Sequence, residues 1–398
     1  MARPMLDRLQ AQSPDALLAL IKMFAADERE DKIDLGVGVY RTDEGATPVF
    51  AAIKHAERRL VESQDSKAYL GPEGDMGFVH ALMPYIFGEN ATRGGRIEGM
   101  QTPGGTGAVR LAFALARQAG VSRVFLGTPS WPNHAQILAD LGLEVVPFAH
   151  ARSDGQADRD AVLAVIDDAR EGDALLLHGC CHNPTGIDYT AEGWEEIARR
   201  LADSPMLPVI DVAYQGLGEG IEEDAAGLRS VIDAVPEALV AYSCDKNFGL
   251  YRDRVGAFYV LAKTPSEMST ILSNANALAR ATWSMPPDHG GAAVREILRD
   301  PELTDLWLDE LADMRSRLRA VRERLAAADN EVGGLDLAPL GTQNGLFGML
   351  KLDGDQIRRL REEHAVYMAG SGRINIAGLT KGNIAGFTAA LAAVADNS

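Results

Sequence analysis

The chain has 398 residues, 46% of them hydrophobic and 24% charged, with a net charge of −18. That length allows a large core or two domains, and the composition is that of a globular protein. The acidic excess works against nucleic acid and anionic membranes as partners, and no apolar run approaches the ~20 residues of a transmembrane helix.

In chain order, no basic stretch followed by an apolar run opens the sequence, so a secretory leader is not expected and a cytoplasmic location is. Asp15 to Ala26 reads as a helix with Leu17, Leu18, Ile21 and Phe24 on its apolar side, and Ser13-Pro14 supplies a cap and first-turn proline. Ile33 to Tyr40 is apolar, with Gly36 and Gly38 allowing close backbone approach. Phe50 to Gln64 reads as a second amphipathic helix, and Tyr69 to Gly74 as a turn-rich loop. Thr102 to Ala108 carries Gly104, Gly105 and Gly107 and leads into a helix over Val109 to Gln118. A glycine-rich turn opening a helix offers free N–H groups to an anion, and Thr106 adds a hydroxyl. A plain tight connection fits the same residues, and no strand is expected before it at the spacing of a dinucleotide-binding turn.

Val124 to Leu126 is a short predicted strand. Trp131 follows, held between Pro129 and Pro132 either as a core residue or as an aromatic plate, and His134 comes three positions later. Ala174 to His178 reads as a strand, and Asn183-Pro184 starts a turn after it. Cys180 and Cys181, like Cys244 further on, lack zinc-ligand spacing, so they read as packed thiols and no metal site is predicted. A helix is expected over Ala191 to Leu201, then a strand over Leu207 to Asp211, with Tyr214 three residues beyond. The strand Leu239 to Ser243 runs into the turn carrying Lys246, and Val255 to Leu261 resumes an apolar run. Three successive strand-to-turn junctions thus carry Asn183, Asp211 with Tyr214, and Lys246. Ligands of open α/β sheets bind outside the carboxyl ends of strands. A desolvated lysine has a lowered pKa and is a nucleophile toward carbonyls. A surface-turn lysine beside solvated Arg252 and Arg254 accounts for the local residues equally.

Arg280 reads locally as a helix-end arginine. A long charged helix over Pro301 to Ala328, with Leu306, Leu311, Met314, Leu318, Val321 and Leu325 on one face, looks like a spine joining two lobes. Strands are expected over Gln343 to Phe347 and Val366 to Met368, around a helix over Gln356 to Glu363. Arg373 lies between glycine and apolar residues, and a helix over Asn383 to Val394 follows.

Ser243, Lys246, Asn247, Phe248, Gly249 and Arg254 resemble the lysine segment of the class I aminotransferases, aspartate/aromatic subgroup. Matching motifs recur in that family's order from about Asp27 to Gly378. The resemblance implies an α/β chain of the PLP-dependent transferase fold type I: a large domain with a mostly parallel seven-stranded sheet plus a smaller α/β domain. By it, residues 1–45 form an N-terminal arm and part of the small domain, 46–311 the large domain, and 312–398 the small domain. The cofactor implied is pyridoxal 5'-phosphate (PLP), joined covalently to Lys246. Asp211 would pair with its ring nitrogen and His134 would support Asp211. Asn183 and Tyr214 would bind its phenolic oxygen, and Trp131 would cover its ring. Gly105, Thr106, Ser243, Arg254 and the other subunit's match to Tyr69 would hold its phosphate, which implies a homodimer with shared active sites. Arg373 would grip the substrate α-carboxylate near Gly38, Trp131 and Asn183. Arg280, reaching from the other subunit, would bind a distal carboxylate, and Leu17, Leu18 and Met285 would touch the substrate side chain. Lys246, with Asp211 and Tyr214, would carry the chemistry of a ping-pong exchange between L-amino acids and 2-oxo acids.

Two departures bear on substrate and cofactor. Met285, with Thr282-Trp283, replaces the Asn-containing pattern of dicarboxylate-specific relatives, which favours aromatic substrates alongside aspartate. Asp245 stands where the family usually has Ser, and it is expected to point away from Lys246. The rival readings are a strictly aspartate-specific enzyme, a β-lyase or decarboxylase on the same fold, and a PLP-dependent DNA-binding regulator, for which no basic patch appears.

Overall fold

The computed structural model describes residues 6, 9–11, 16–328, 332 and 334–395; Ser13, Pro14 and Asp15 lie outside them. In chain order the strands are β1 (Ile33–Asp34), β2 (Ile97–Pro103), β3 (Arg123–Thr128), β4 (Glu144–Ala149), β5 (Asp173–His178) and β6 (Leu207–Val212). They continue with β7 (Ala238–Ser243), β8 (Val255–Leu261), β9 (Phe347–Met349), β10 (Val366–Tyr367) and β11 (Arg373–Asn375).

One seven-stranded sheet has the order β2-β8-β7-β6-β5-β3-β4. β3 to β7 run parallel, whereas β8 is antiparallel to both β7 and β2. β2 therefore points the same way as β7. The carboxyl ends of β2, β3, β5, β6 and β7 and the start of β8 all fall on one edge of the sheet.

The central strands are buried on both faces, which is why they read as continuous apolar runs. Alternation still sorts their side chains with period two. Val240, Tyr242, Ala257 and Tyr259 belong to one apolar cluster, and Leu239, Ala241, Phe258 and Val260 to the other. The helix Gly104–Gln118 closes the second cluster through Ala108, Leu111 and Ala112. Helices Ala51–Ser63, Met76–Phe87, His289–Arg299 and Pro301–Ala327 contribute Ile53, Phe78, Val294 and Trp307 to the first.

β1 pairs in parallel with β10, and β9 is antiparallel to β11. Asn375 ties the following loop down, its Nδ2 donating to the carbonyls of Val37 at 2.6 Å and Val39 at 2.8 Å. The segment after β1 is thereby fixed to the C-terminal part of the chain. The long charged helix spans Pro301–Ala327. Near its start Trp307 packs on the sheet side, and near its end buried Arg322 donates to the carbonyls of Asn344, Gly345 and Phe347 at 2.9, 2.8 and 2.7 Å.

Two sequence expectations are corrected. A strand, β2, leads directly into the glycine turn, and the helix starts at Gly104 rather than Val109. Glu98, Gly99, Gln101 and Pro103 hide β2 from a propensity reading, but pairing with β8 satisfies its backbone. The strand expected over Gln343 to Phe347 starts only at Phe347, because Gly345 sits at φ +77 and the Asn344 N–H donates to the Gly186 carbonyl at 2.8 Å, which interrupts an extended run. Among the described residues, no helix is long and apolar enough to cross a membrane.

Candidate active site

A cavity of about 320 Å³ opens at the carboxyl edge of the sheet. Its floor comes from the strand ends. β6 delivers Asp211 and the turn after it Tyr214; the turn after β5 delivers Asn183; β7 ends on Ser243, with Lys246 in the turn that follows. Gly105, Thr106, Trp131 and Arg254 close one side, and Leu17, Gly38 and Arg373 close the other.

Lys246 lines this cavity. Among the described residues its Nζ has no hydrogen-bond or ion-pair partner, and it lies 5.0 Å above the Tyr214 ring. Burial lowers its pKa, while the carboxylates of Asp245 and Asp211 act in the opposite direction. The amine therefore stands closer to its neutral, nucleophilic form than a solvent lysine does.

Asp211 is held from behind. Its Oδ2 lies 2.9 Å from His134 Nε2, and the other His134 nitrogen lies 3.0 Å from Ser130 Oγ. Ser130 Oγ in turn lies 3.2 Å from His178 Nε2. This chain fixes one carboxylate oxygen of Asp211, a residue that itself lines the cavity. Asn183 Nδ2 donates to the Tyr214 hydroxyl at 3.4 Å, while Asn183 Oδ1 is buried with no partner. Burial raises the Tyr214 pKa, so its hydroxyl stays protonated and able to donate.

Opposite them, the glycine turn is tight. Gly104 has φ +68, and a Cβ there would lie 2.5 Å from Arg254 Nη2; one on Gly105 would lie 2.8 Å from Ser243 Cβ. Only bare backbone leaves room for an oxyanion group beside Ser243 and Arg254. Asp245 contradicts its expectation. It lines the cavity with Lys246, ion-paired to Arg254, because its Oδ1 also accepts from the Val255 N–H at 3.1 Å. Burial pushes the Asp245 pKa up, against the pull of Lys246 and Arg254.

Arg373 donates through Nη2 to the Gly36 carbonyl at 2.9 Å and lies 4.4 Å over the Phe347 ring. Its Nε is buried with no partner. A Cβ on Gly38 would come within 2.6 Å of Phe347 Cζ, so Gly38 gives this ring its place.

Several predicted site residues do not line the cavity of their own chain. Tyr69 is 95% exposed, and Arg280 is exposed and donates to Ser284 Oγ at 2.6 Å. Met285 is half-buried, with Sδ accepting from the Leu70 N–H at 3.3 Å, and Leu18 is exposed. His134 lies one layer behind, through Asp211. The sequence reading passed over Phe347 as a platform, Tyr251, whose hydroxyl accepts from the Tyr40 N–H at 2.9 Å, and His178. The spacing of Tyr251 from Lys246 was visible, but nothing local pointed it into the cavity.

A family model described as aminotransferase class I and II matches residues 30–391. The chain is 48% identical over 376 residues to a tyrosine aminotransferase of Rhizobium meliloti (strain 1021), covering 94% of this chain and 96% of that one. It is 41% identical to an aspartate aminotransferase of Escherichia coli (strain K12), covering 98% and 100%. Among solved structures, an aromatic-amino-acid aminotransferase from Burkholderia pseudomallei covalently bound to pyridoxal phosphate superposes with a TM-score of 0.93 at 33% identity, covering 98% and 99%. The mostly parallel seven-stranded sheet and the lysine at its carboxyl edge agree with these matches, and the lyase, decarboxylase and regulator readings find no support in them. The chain belongs to the class I and II aminotransferases and is an amino acid transaminase.

Proposed function

We propose that this transaminase moves an amino group between an L-amino acid, aspartate or an aromatic one (Phe, Tyr, Trp), and 2-oxoglutarate, using PLP held by Lys246. One observation carries the reading: Lys246, Asp211 and Arg373 converge on a single cavity at the carboxyl edge of the sheet. The residues fit the cofactor. Asn183 Oδ1 is a buried acceptor with no partner, the glycine turn leaves a cradle that any Cβ would fill, and the Lys246 amine is unpaired among the described residues.

PLP, when bound, supplies an electron sink for a carbanion at the substrate Cα. The chain's own residues do the rest. Asp211, oriented by His134, keeps a proton on the ring nitrogen by charge pairing. Asn183 and Tyr214 hold the phenolic oxygen, and Trp131 covers the ring. Gly105, Thr106, Ser243 and Arg254 hold the phosphate. Lys246 Nζ takes the proton from the substrate Cα as general base. Arg373 binds the α-carboxylate with its planar fork, its unpaired Nε edge being available for a second contact. Gly38 and Leu17, which line the cavity, border the substrate side, with Leu18 and Met285 set further out.

Tyr69 and Arg280, exposed on their own chain, reach the cavity of a second copy in a homodimer, Tyr69 toward the phosphate and Arg280 toward a distal carboxylate. The domain division read from the sequence, an N-terminal arm and part of the small domain over 1–45, a large domain over 46–311 and a small domain over 312–398, would put one boundary inside the helix Pro301–Ala327. A cytoplasmic setting suits three buried free thiols.

A half-reaction tests the reading. The purified, PLP-loaded chain is mixed with one amino acid at a time and the cofactor's absorbance followed. Conversion by both aspartate and phenylalanine supports dual specificity. Conversion by aspartate alone leaves a strictly aspartate-specific enzyme, and no conversion by any amino acid overturns the proposal.

A further inference from the structure

Asp245 puts a second negative charge where an anion is to bind. Its carboxylate is 3% exposed and fixed on every side. Its own N–H donates to Ser243 Oγ at 3.2 Å, its Oδ1 accepts from the Val255 N–H at 3.1 Å, and its Oδ2 is ion-paired with Arg254. Arg254 sits at φ 56, a left-handed conformation uncommon for a side-chain-bearing residue. A Cβ on Gly104 would lie 3.1 Å from Asp245 Oδ2. The carboxylate therefore lies against the same glycine turn, serine and arginine that are read above as the phosphate cup, and all of them line one cavity.

We propose that Asp245 is a counter-ion built into the phosphate cup, competing with the cofactor's phosphate for Arg254 and making the cofactor more readily exchanged. This rests on the cup assignment made under Proposed function. Arg254 has enough N–H groups to serve two anions at once. Geometry alone does not prevent double occupancy, but charge opposes it. A phosphate dianion a few ångströms from a buried carboxylate is repelled through a medium that screens poorly, and the carboxylate already offsets the positive charge of the arginine. Asp245 also acts on Lys246, whose charged form it favours. The two effects separate by ligand: a phosphate-free aldehyde senses only Lys246, whereas PLP senses both.

The test uses the apo-form of the full chain, as wild type, Asp245→Asn and Asp245→Ser. PLP and pyridoxal are titrated by absorbance and tryptophan fluorescence, with inorganic phosphate as a third probe, and folding is checked by thermal unfolding. Both variants should bind PLP and inorganic phosphate at least about tenfold more tightly, which is about 1.4 kcal/mol, and release PLP more slowly. Pyridoxal affinity should move by less than about threefold. Equal or weaker PLP binding in the folded variants overturns the proposal, as does an equal gain for pyridoxal, which would assign the effect to Lys246. Should one variant fail to fold, the other decides. A wild-type chain that binds neither PLP nor inorganic phosphate removes the cup assignment itself, a different result from PLP binding that is unchanged by substitution.

Discussion

The indole N–H of Trp307 donates to the carbonyl of Asn247 at 2.7 Å, and the same ring stacks on Phe248 at 4.3 Å with an interplanar angle of 5°. Trp307 is 1% exposed and belongs to the long helix Pro301–Ala327. The turn carrying Lys246 is thus clamped from outside the sheet by a residue 61 positions away in sequence, 307 − 246. Asn247 adds a second anchor, its Nδ2 donating to the Tyr242 hydroxyl at 2.9 Å.

Replacing Trp307 with Phe keeps most of the stacking and removes the donor. The Asn247 carbonyl is then left without its partner in a dry environment, at a cost of about 1–3 kcal/mol. Denaturant unfolding should show that loss, and the spectrum of the bound cofactor should shift or broaden as the Lys246 turn loosens. An unaltered midpoint and spectrum would show that the clamp does not hold the turn.

Lys246→Ala removes the amine proposed to take the Cα proton. General-base contributions are about 10²–10⁴-fold, and loss of covalent cofactor attachment adds to them. Steady-state turnover should fall by at least about 10³-fold. Borohydride reduction followed by mass spectrometry should no longer add cofactor mass to the chain. Retained labelling would place the attachment on another lysine.

Arg373→Lys keeps the charge and loses the planar fork. The α-carboxylate is common to every amino acid substrate, so KM should rise for aspartate and phenylalanine alike, by about 10–100-fold for a contact of about 1.5–3 kcal/mol. A rise confined to one substrate would mean that Arg373 reads the side chain instead.

Four imidazoles lie in a row beside the cavity, which His178 lines: His150 stacks on His182 at 3.4 Å, His182 tilts against His178 at 4.1 Å, and His178 meets His134 edge-on at 5.1 Å. Burial pushes the His150 pKa down to about 4 and holds that of His182 well below the ordinary value. A histidine depressed in the folded state takes up its proton more easily when unfolded. Its stabilising effect is complete above the unfolded pKa near 6.5 and is lost as the pH falls toward 4. Each such group contributes up to about 1.4 kcal/mol per pH unit in that window. Asp224, raised to about 6 by burial, works the other way, being most stabilising at acid pH, as do Asp188 and Asp245, which burial also raises, while His178, held well below the ordinary value like its neighbours, adds to the histidine side. Tm should therefore fall between pH 6.5 and 5, and His150→Phe should flatten the slope. A Tm that is level or rises toward pH 5 would refute this.

Five of the seven strands, β3 and β5 to β8, and the three strand-to-turn junctions were legible because buried strands need unbroken apolar runs, and a chain that must turn at their ends shows it in Gly, Pro and Asn; the count of seven came from the family resemblance. Lys246, Asp211 and Asn183 stood out because each comes at or just after the end of an apolar strand, and Arg373 because it lies between glycine and apolar residues. β2 was not legible, since its residues have weak strand propensity and its stability comes from pairing with β8, a partner 158 residues on, 255 − 97. The direction of a side chain was not legible either. Asp245 was expected to turn away, yet the Val255 N–H and the Arg254 guanidinium, brought round by β8, draw it into the cavity. His134 and Trp307 gain their parts only from what packs behind Asp211 and the lysine turn. Sequence by itself determined which residue types stand at the ends of which elements, because periodicity and turn chemistry act over a few positions. Only the tertiary structure decided which of them face one another, because hydrogen bonds and ion pairs depend on separations of a few ångströms between residues that the chain order keeps far apart.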